Sequence, residues 1–343
     1  MTPLKTLSRQ ELVSFLASVN EPAFKAKQIE AWLWKKQASS IDDMTDLSLK
    51  LRTALKQHFT LYYPLIYSEQ LSSDKTLKMT FELQDKALVE GVLIPSKDRV
   101  TACVSSQVGC ALGCGFCATA KLKFSRNLHY SEILDQIILI NKKAEQDYGH
   151  SLTNIVYMGM GEPLLNYENT VASLDILTSK DFFGWSPKRI TVSTAGIVSG
   201  ISRLTQERRK IPLAVSLHTA DERKRLQLMP VAKSNPLPEL RRTLANFAQT
   251  LDERITVEYL LLNQINDQIQ DAALLAEFCK AFPVKINLIE YNPHSGAPFS
   301  ATNPQTLNQF KVFLESKNML VQVRRSRGKD IAAACGQLAA KSL

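Results

Sequence analysis

The sequence predicts an α/β fold built on a parallel sheet or barrel, because strand-like and helix-like segments alternate along most of the chain. The helix-like segments are amphipathic: in Ser131 to Gln146, Ile133, Ile137 and Ile140 share one face, and Ser131 is placed to cap the start. The strand-like segments are short runs rich in β-branched residues, each ending in a polar or glycine-containing turn: Arg99 to Ser105, Asn154 to Met158, Arg189 to Thr194, Ile211 to Leu217, Ile255 to Leu262 and Lys285 to Glu290.

The chain of 343 residues is long enough for two domains. Leu4 to Phe59 has the pattern of several short helices, and strand-like segments such as Leu77 to Leu83 begin after it. We therefore expect an N-terminal helical accessory domain over residues 1–75 and a catalytic domain over residues 76–343. All apolar stretches are shorter than a membrane span, which predicts no membrane association.

Three cysteines form a C-x3-C-x2-C triplet, and no fourth cysteine follows within the next hundred residues. An iron-sulfur cluster held by three thiolates leaves one iron open to bind a small molecule. Gly109, Gly113 and Gly115 allow the loop to wrap a cluster closely, because glycine tolerates positive φ. The predicted cluster ligands are Cys110, Cys114 and Cys117.

The cysteines allow two other interpretations. A Cys3His zinc site would use His129 as its fourth ligand, but zinc ligands usually come in two short pairs and His129 stands alone. Disulfides are disfavoured because no cleavable apolar leader is found. Six cysteines in a chain of this length fit a reducing cytosol, which predicts a cytoplasmic protein.

The triplet resembles that of the radical S-adenosylmethionine (SAM) superfamily. The resemblance implies a partial (β/α)6 barrel, a [4Fe-4S] cluster, SAM bound on the open iron, and a 5'-deoxyadenosyl radical made from it. The loops at the carboxyl ends of the predicted strands suit such a ligand: Glu162 offers a carboxylate to an ammonium group, and Ser193, Ser216 and Asn292 offer hydrogen bonds. For His218 a structural role is expected at least as much as a catalytic acid–base role, and its neighbours favour a ligand contact.

Two further cysteines suggest thiol chemistry near the predicted cluster. Cys335 lies among small residues that leave its sulfur approachable, and Cys103 comes seven residues before the triplet. Cys279, by contrast, lies in an apolar helical run and is expected to be an inert core residue.

Five motifs make the resemblance specific to the RlmN/Cfr family of radical SAM RNA methyltransferases: Cys103 to Cys110, Phe116 to Thr119, Arg126 to Leu128, Gly159 to Pro163 and Ala334 to Leu338. The stretch Glu21 to Ile29 is similar to the family's accessory domain. Lys123 and the pair Asn263-Gln264 depart from the family pattern, outside the positions assigned chemistry.

The family resemblance implies a role for each matching residue. Cys335 resembles the cysteine that takes a methyl group from one SAM, and Cys103 resembles the cysteine that later closes a transient disulfide with it. A radical made from a second SAM removes hydrogen from that methyl group, whose carbon then adds to an adenine, and Glu90 resembles the proton acceptor. The SAM contacts carry over to Gly161, Glu162, Ser193, Ser216, Leu217, His218 and Asn292.

Lys and Arg outnumber Asp and Glu by 42 to 33, giving a formal net charge of +9. Such an excess fits binding to the phosphate backbone of RNA. The basic residues fall in clusters within Lys25 to Lys36, Lys121 to Arg126, Arg203 to Lys210, Arg223 to Arg225 and Arg324 to Lys329. The resemblance implies 23S rRNA and tRNA as partners and an electron donor such as flavodoxin, and we expect a monomer.

Three functions remain open at this point. The favoured one is methylation of adenine C2 in 23S rRNA and in tRNA, next to the anticodon. A second is methylation of adenine C8, as in Cfr, since both groups share the cysteine set. The third is a noncatalytic metal-containing RNA-binding protein, which would not need Cys335 or Cys103.

Overall fold

A computed structural model of the chain describes residues 1–293 and 297–339. Six short helical segments lie within residues 1–64: three α-helices, a π-helical turn at Ala31–Lys35, and 3-10 turns at Leu4–Thr6 and Ile41–Asp43. Within the described ranges the α-helices are α1 (Arg9–Ser18), α2 (Lys25–Glu30), α3 (Leu49–His58), α4 (Tyr130–Tyr148), α5 (Tyr167–Thr178), α6 (Val198–Gln206), α7 (Glu222–Leu228), α8 (Leu237–Leu251), α9 (Ile269–Cys279) and α10 (Pro304–Ser316).

The strands of the described residues form one large sheet and two small pairs. The strands are β1 (Thr2–Pro3), β2 (Phe59–Thr60), β3 (Leu65–Leu71), β4 (Leu77–Glu82), β5 (Leu88–Ser96), β6 (Arg99–Cys103), β7 (Gln107–Val108), β8 (Arg126–Asn127), β9 (Asn154–Tyr157), β10 (Ile190–Thr194), β11 (Leu213–Ser216), β12 (Ile255–Leu261), β13 (Val284–Glu290) and β14 (Leu320–Arg324). The large sheet has ten strands in the order β14-β13-β12-β11-β10-β9-β6-β5-β4-β3.

The six predicted strands are confirmed as neighbours in chain order, β6 and β9 to β13, and all pair in parallel. The sheet order is linear, so this part is an open barrel with helices between its strands, as predicted. The structure confirms the strand-like segment Leu77 to Leu83 as β4. The sequence pattern missed β14, which extends the parallel run, and it missed β3 and β5, which pair with β4 in an antiparallel extension on the other side.

The predicted start of α4 needs a correction. Its N-cap is His129, whose side chain accepts a hydrogen bond from the Ser131 backbone N–H, while Glu132 closes the capping box. Ser131 lies inside the helix and is not the cap. Because His129 caps the helix in this way, the structure also argues against its use as a zinc ligand.

The N-terminal helices share a continuous hydrophobic core with the sheet, which includes Leu4, Leu16 and Leu55 as well as strand residues. A buried ion pair joins the two regions: Lys5 Nζ lies 2.5 Å from Asp135 Oδ1 on α4. The predicted domain boundary between residues 75 and 76 stays a prediction. In the part of the chain that the structure describes, no helix combines the length and apolarity needed to cross a membrane.

Candidate active site

A cavity opens at the carboxyl edge of the parallel strands, where the predicted loops meet. The volume of the cavity, including the space at its open mouth, is about 940 Å³. Nine of the predicted site residues line it: Cys110, Cys114, Cys117, Gly161, Glu162, Ser193, Ser216, His218 and Cys335. Residues far apart in sequence are thus brought together at one mouth.

The loop of the cysteine triplet follows β7 and turns at two glycines with positive φ, Gly109 (74°) and Gly113 (67°). A Cβ added at Gly109 would lie 2.3 Å from the carbonyl oxygen of Lys123, so this position accepts only glycine without a shift of backbone. The loop that turns at these glycines carries three cysteines that line the cavity.

The donor set fits an iron-sulfur cluster. Burial raises the pKa of Cys110 to about 11 and also raises that of Cys114, so positive iron would be needed to hold these thiols as thiolates. Among the described residues, no group of three or more His, Cys, Asp or Glu is gathered closely enough to hold a single metal ion. A [4Fe-4S] cluster binds each thiolate to a different iron, so its cysteines need not converge on one point.

Glu162 lies buried in the loop after β9, and both of its carboxylate oxygens accept backbone hydrogen bonds. Ala195 N–H donates to Oε2 at 2.7 Å, and Leu164 N–H donates to Oε1 at 3.0 Å. Burial raises the pKa of Glu162 to about 7, partly offset by these hydrogen bonds. The carboxyl group faces the cavity with lone pairs still open to a cation.

His218 follows β11 and is fixed by the strand beside it. Its Nδ1 accepts the N–H of Leu260 at 3.0 Å, and its ring meets the edge of Phe116 at a centroid distance of 4.9 Å. Burial lowers the pKa of His218 to about 3, so the ring is neutral. A neutral ring with Nδ1 as acceptor keeps its proton on Nε2, which leaves it a hydrogen-bond donor toward the cavity.

Two predicted SAM contacts do not lie on the cavity wall. Leu217 is completely buried, because successive residues of a strand end point to opposite faces and its neighbour Ser216 faces the cavity. Asn292 donates from Nδ2 to Ser326 Oγ at 2.7 Å and to the carbonyl of Glu290 at 3.1 Å. Their roles toward SAM stay predictions.

Cys335 is exposed to the cavity, on a C-terminal segment that crosses the triplet loop. Ala118 N–H donates to the carbonyl of Gly336 at 2.7 Å, and Thr119 Oγ1 donates to the carbonyl of Leu338 at 2.6 Å. These bonds bring the lone cysteine to the mouth that holds the triplet.

Cys103 lies at the end of β6 and is buried. Its pKa is raised to about 12, first by burial and then by the neighbouring Cys335, while Arg324 lowers it. The two thiols predicted to pair are thus close enough to influence each other.

Glu90 lies on β5, outside the cavity lining, and is 4% exposed. Its Oε1 is 3.3 Å from Lys78 Nζ, and its Oε2 accepts the N–H of Ala339 at 2.8 Å. The predicted proton acceptor is therefore an ion-paired carboxylate beneath the C-terminal segment.

Several cavity residues were missed by sequence reasoning, notably Met158, Glu258 and Arg324. The sequence does contain a signal for Glu258: a glutamate within the apolar run Ile255 to Leu262 is expected to be buried, and a buried charge requires a partner. Arg324 had been assigned to a basic cluster expected to bind RNA, but it faces the cavity.

The expected basic surface is also reduced by internal contacts. Arg225 is completely buried and donates to the carbonyls of Asn235 and Ala195. Other basic residues of the predicted clusters pair with carboxylates, among them Lys27, Lys36, Arg126, Arg203, Arg209, Lys224, Arg327 and Lys329. An ion-paired side chain attracts phosphate less strongly, because the carboxylate beside it partly neutralises its charge.

The fold and the cavity define a radical SAM enzyme: a parallel open barrel carries a cysteine triplet at its carboxyl edge, and residues 104–276 match the family model described as the radical SAM superfamily. Members of this superfamily use a [4Fe-4S] cluster and SAM, as predicted. Residues 2–61 match a second model, described as the ribosomal RNA large subunit methyltransferase N-terminal domain.

Known proteins resemble the chain over nearly its whole length. A probable dual-specificity RNA methyltransferase RlmN of Cytophaga hutchinsonii is 48% identical over 99% of this chain and 93% of its own. The dual-specificity RNA methyltransferase RlmN of Anaeromyxobacter dehalogenans is 41% identical over 98% and 92%. The crystal structure of a radical SAM methyltransferase from Sphaerobacter thermophilus superposes with a TM-score of 0.91 at 38% identity, covering 98% and 99%. The chain belongs to the RlmN family, which confirms the predicted resemblance.

Proposed function

We propose that this protein is an RNA methyltransferase that methylates C2 of an adenine in 23S rRNA and C2 of the adenine on the 3' side of the anticodon in tRNA. Two SAM molecules are used per turnover, one as methyl donor and one as radical source. The single observation that carries the proposal is that Cys335 lines the same cavity as Cys110, Cys114 and Cys117. The names of its relatives support RNA as the substrate.

The low nucleophilicity of the target carbon explains why a protein thiol is proposed to carry the methyl group. An adenine carbon that bears hydrogen is a poor nucleophile and cannot attack a sulfonium methyl group directly. A thiolate can, so Cys335 takes the methyl group first and carries it into the cavity. When bound, the cluster and SAM supply a carbon radical able to remove hydrogen from that methyl group.

Release of the product needs a second thiol and a proton acceptor. Cys103, which interacts with Cys335 electrostatically, attacks the Cys335 sulfur and forms a transient disulfide. Glu90, held by Lys78, receives the proton lost from the adenine carbon, and the cluster, when bound, would take back the one electron left on the adduct. Glu90 Oε2 also accepts the Ala339 N–H, so this oxygen lies against the C-terminal segment that carries Cys335.

Binding of the ligands uses the cavity wall and the outer surface. Gly161, Glu162, Ser193, Ser216 and His218 hold SAM, with Glu162 on its ammonium group. The helices of the N-terminal region and exposed basic residues such as Lys123 and Arg325 contact RNA. The enzyme works as a cytoplasmic monomer and receives electrons from a donor such as flavodoxin.

The decisive experiment is mass spectrometry of the nucleosides in RNA treated with reconstituted enzyme and SAM. We expect 2-methyladenosine, which chromatography separates from 8-methyladenosine. The C8 isomer would replace the proposed product with that of the Cfr group, and unmodified RNA would contradict both. Separate reactions with 23S rRNA fragments and with tRNA test the two substrates.

A further inference from the structure

A carboxylate and a guanidinium form a charged pair in the cavity wall that none of the roles above uses. Glu258 lies on β12 and Arg324 on β14, and both line the cavity with Cys335. Glu258 Oε2 is 3.8 Å from Arg324 Nη1, and their side chains are 4% and 32% exposed. The carboxylate is therefore almost fully buried, while the guanidinium keeps an open face.

Both groups have hydrogen-bonding capacity that the protein does not fill. Glu258 Oε1 accepts from Asn287 Nδ2 at 2.8 Å, but Oε2 has no hydrogen bond to the described residues. Arg324 Nη1 makes a contact of 3.6 Å with Met158 Sδ, and a thioether is a weak acceptor. A buried acceptor without a donor is costly, so Oε2 indicates a ligand that brings a hydrogen-bond donor.

We propose that Glu258 and Arg324 bind the adenine to be methylated by its Watson–Crick edge, with Glu258 accepting from the 6-amino group and Arg324 donating to N1. This inference rests on the proposed function. A purine edge offers a donor and an acceptor side by side, which matches a carboxylate oxygen next to a guanidinium N–H. Neither side chain alone would recognise both groups.

The positions of Glu258 and Arg324 along the Watson–Crick edge determine which adenine carbon faces Cys335. Arg324 Nη1 contacts Met158 Sδ, and Met158 follows β9, whose Val156 pairs with Cys103. Cys103 is the proposed disulfide partner of Cys335, so the two thiols lie on the arginine side of the pair. Adenine C2 is bonded to N1, so an N1 held by Arg324 places C2 toward Cys335. C8 lies on the opposite side of the base and would face away.

The same order selects against guanine. In guanine the acceptor O6 and the donor N1–H are exchanged along the edge, so its C2 would lie on the Glu258 side, away from Cys335. Burial raises the pKa of Glu258, and Arg324 and Asn287 lower it. The arginine thus also favours the ionised carboxylate that an amino group needs.

SAM also contains an adenine, so the experiment has two arms. The proteins are the reconstituted wild type, Glu258→Gln, Glu258→Asp and Arg324→Gln, with Arg254→Gln as the control because Arg254 is an exposed arginine that directly precedes β12. The first arm measures SAM affinity without RNA by equilibrium dialysis. The second compares kcat/KM and affinity for a stem-loop RNA whose target is adenosine or purine riboside, which lacks only the 6-amino group.

We expect the wild type and Arg254→Gln to prefer adenosine by about 10-fold to 100-fold, the range for a hydrogen bond to a charged group. Both Glu258 variants should lose most of this preference, Arg324→Gln should lower kcat/KM on both RNAs, and SAM affinity should stay within about 2-fold. Iron content and thermal melting verify that the variants fold.

The proposal is overturned if the variants keep the preference for adenosine, whether SAM affinity falls or not. A fall in SAM affinity with the preference intact would assign the pair to SAM. If the wild type methylates neither RNA, the proposed function fails, and the affinity preference still decides the role of the pair.

Discussion

Glu90 and Ala339 are joined by a hydrogen bond across the molecule: the Ala339 N–H donates to Glu90 Oε2 at 2.8 Å, although 249 positions separate them. The segment that makes this contact also carries Cys335 and is fastened to the triplet loop through the carbonyls of Gly336 and Leu338. The proposed methyl carrier, Cys335, and the proposed proton acceptor, Glu90, are therefore linked by one short stretch of chain.

Ala339→Pro should loosen this segment, because proline has no N–H to donate. We expect the alkylation of Cys335 by iodoacetamide to become about 2-fold to 10-fold faster, the range for one hydrogen bond. Peptide mass spectrometry gives the rate at Cys335 alone. Ala339→Ser keeps the N–H and should react like the wild type, and equal rates in the two variants would contradict the link.

Cys335→Ala should abolish RNA methylation while iron and sulfide content stay unchanged, because the carrier thiol is lost and the triplet is intact. Cys279→Ala is the matched control: Cys279 is completely buried on α9, and burial raises its pKa to about 12. We expect this control to stay active. Methylation by Cys335→Ala at the wild-type rate would show that Cys335 carries no methyl group.

Cys103→Ala should trap RNA on the protein. Without the second thiol, the bond between the Cys335 sulfur and the transferred carbon has no nucleophile to break it. A denaturing gel with labelled RNA should reveal a covalent adduct, and digestion should locate it at Cys335. Free methylated RNA without an adduct would exclude the resolving role of Cys103.

SAM binding should weaken as the pH falls through about 7, because burial raises the pKa of Glu162 to about 7 and a protonated carboxyl cannot pair with an ammonium group. The same shift means that the folded state holds this proton more tightly than the unfolded state. Its contribution to stability is present below the unfolded pKa and is lost as the pH rises through about 7.

Equilibrium dialysis of SAM between about pH 8 and about pH 6 measures the effect, with up to about tenfold loss per pH unit below the pKa. Glu168→Gln, at an exposed carboxylate near Glu162 in sequence, should keep the wild-type profile. A flat profile in the wild type would mean that SAM does not use this carboxylate.

Asp135→Ala should destabilise the fold by about 3–5 kcal/mol, since it leaves Lys5 buried and unpaired. The double variant Lys5→Met/Asp135→Leu should lose less, because no charge remains buried. Asp42→Ala removes an exposed ion pair with Lys56 and should cost less than about 1 kcal/mol. Urea unfolding measures all three, and equal losses in the single and double variants would contradict the argument.

The sequence by itself determined the elements that depend on neighbouring residues. The six parallel strands were predictable because each is a short β-branched run ended by a turn, and the triplet because its spacing is local. The motifs around Cys103, Glu162 and Cys335 also identified the family before any contact was known.

Only the tertiary structure decided how charged and polar residues are used. In the sequence, nothing distinguishes Arg225 and Arg324 from the basic residues beside them. In the structure, Arg225 donates hydrogen bonds to backbone carbonyls in the core, whereas Arg324 faces Glu258 in the cavity. The physical reason is that a buried charge is stable only beside partners from other parts of the chain, and no local pattern shows which parts these are. The hydrogen bond between Ala339 and Glu90 is likewise a contact between distant parts of the chain that no local pattern shows.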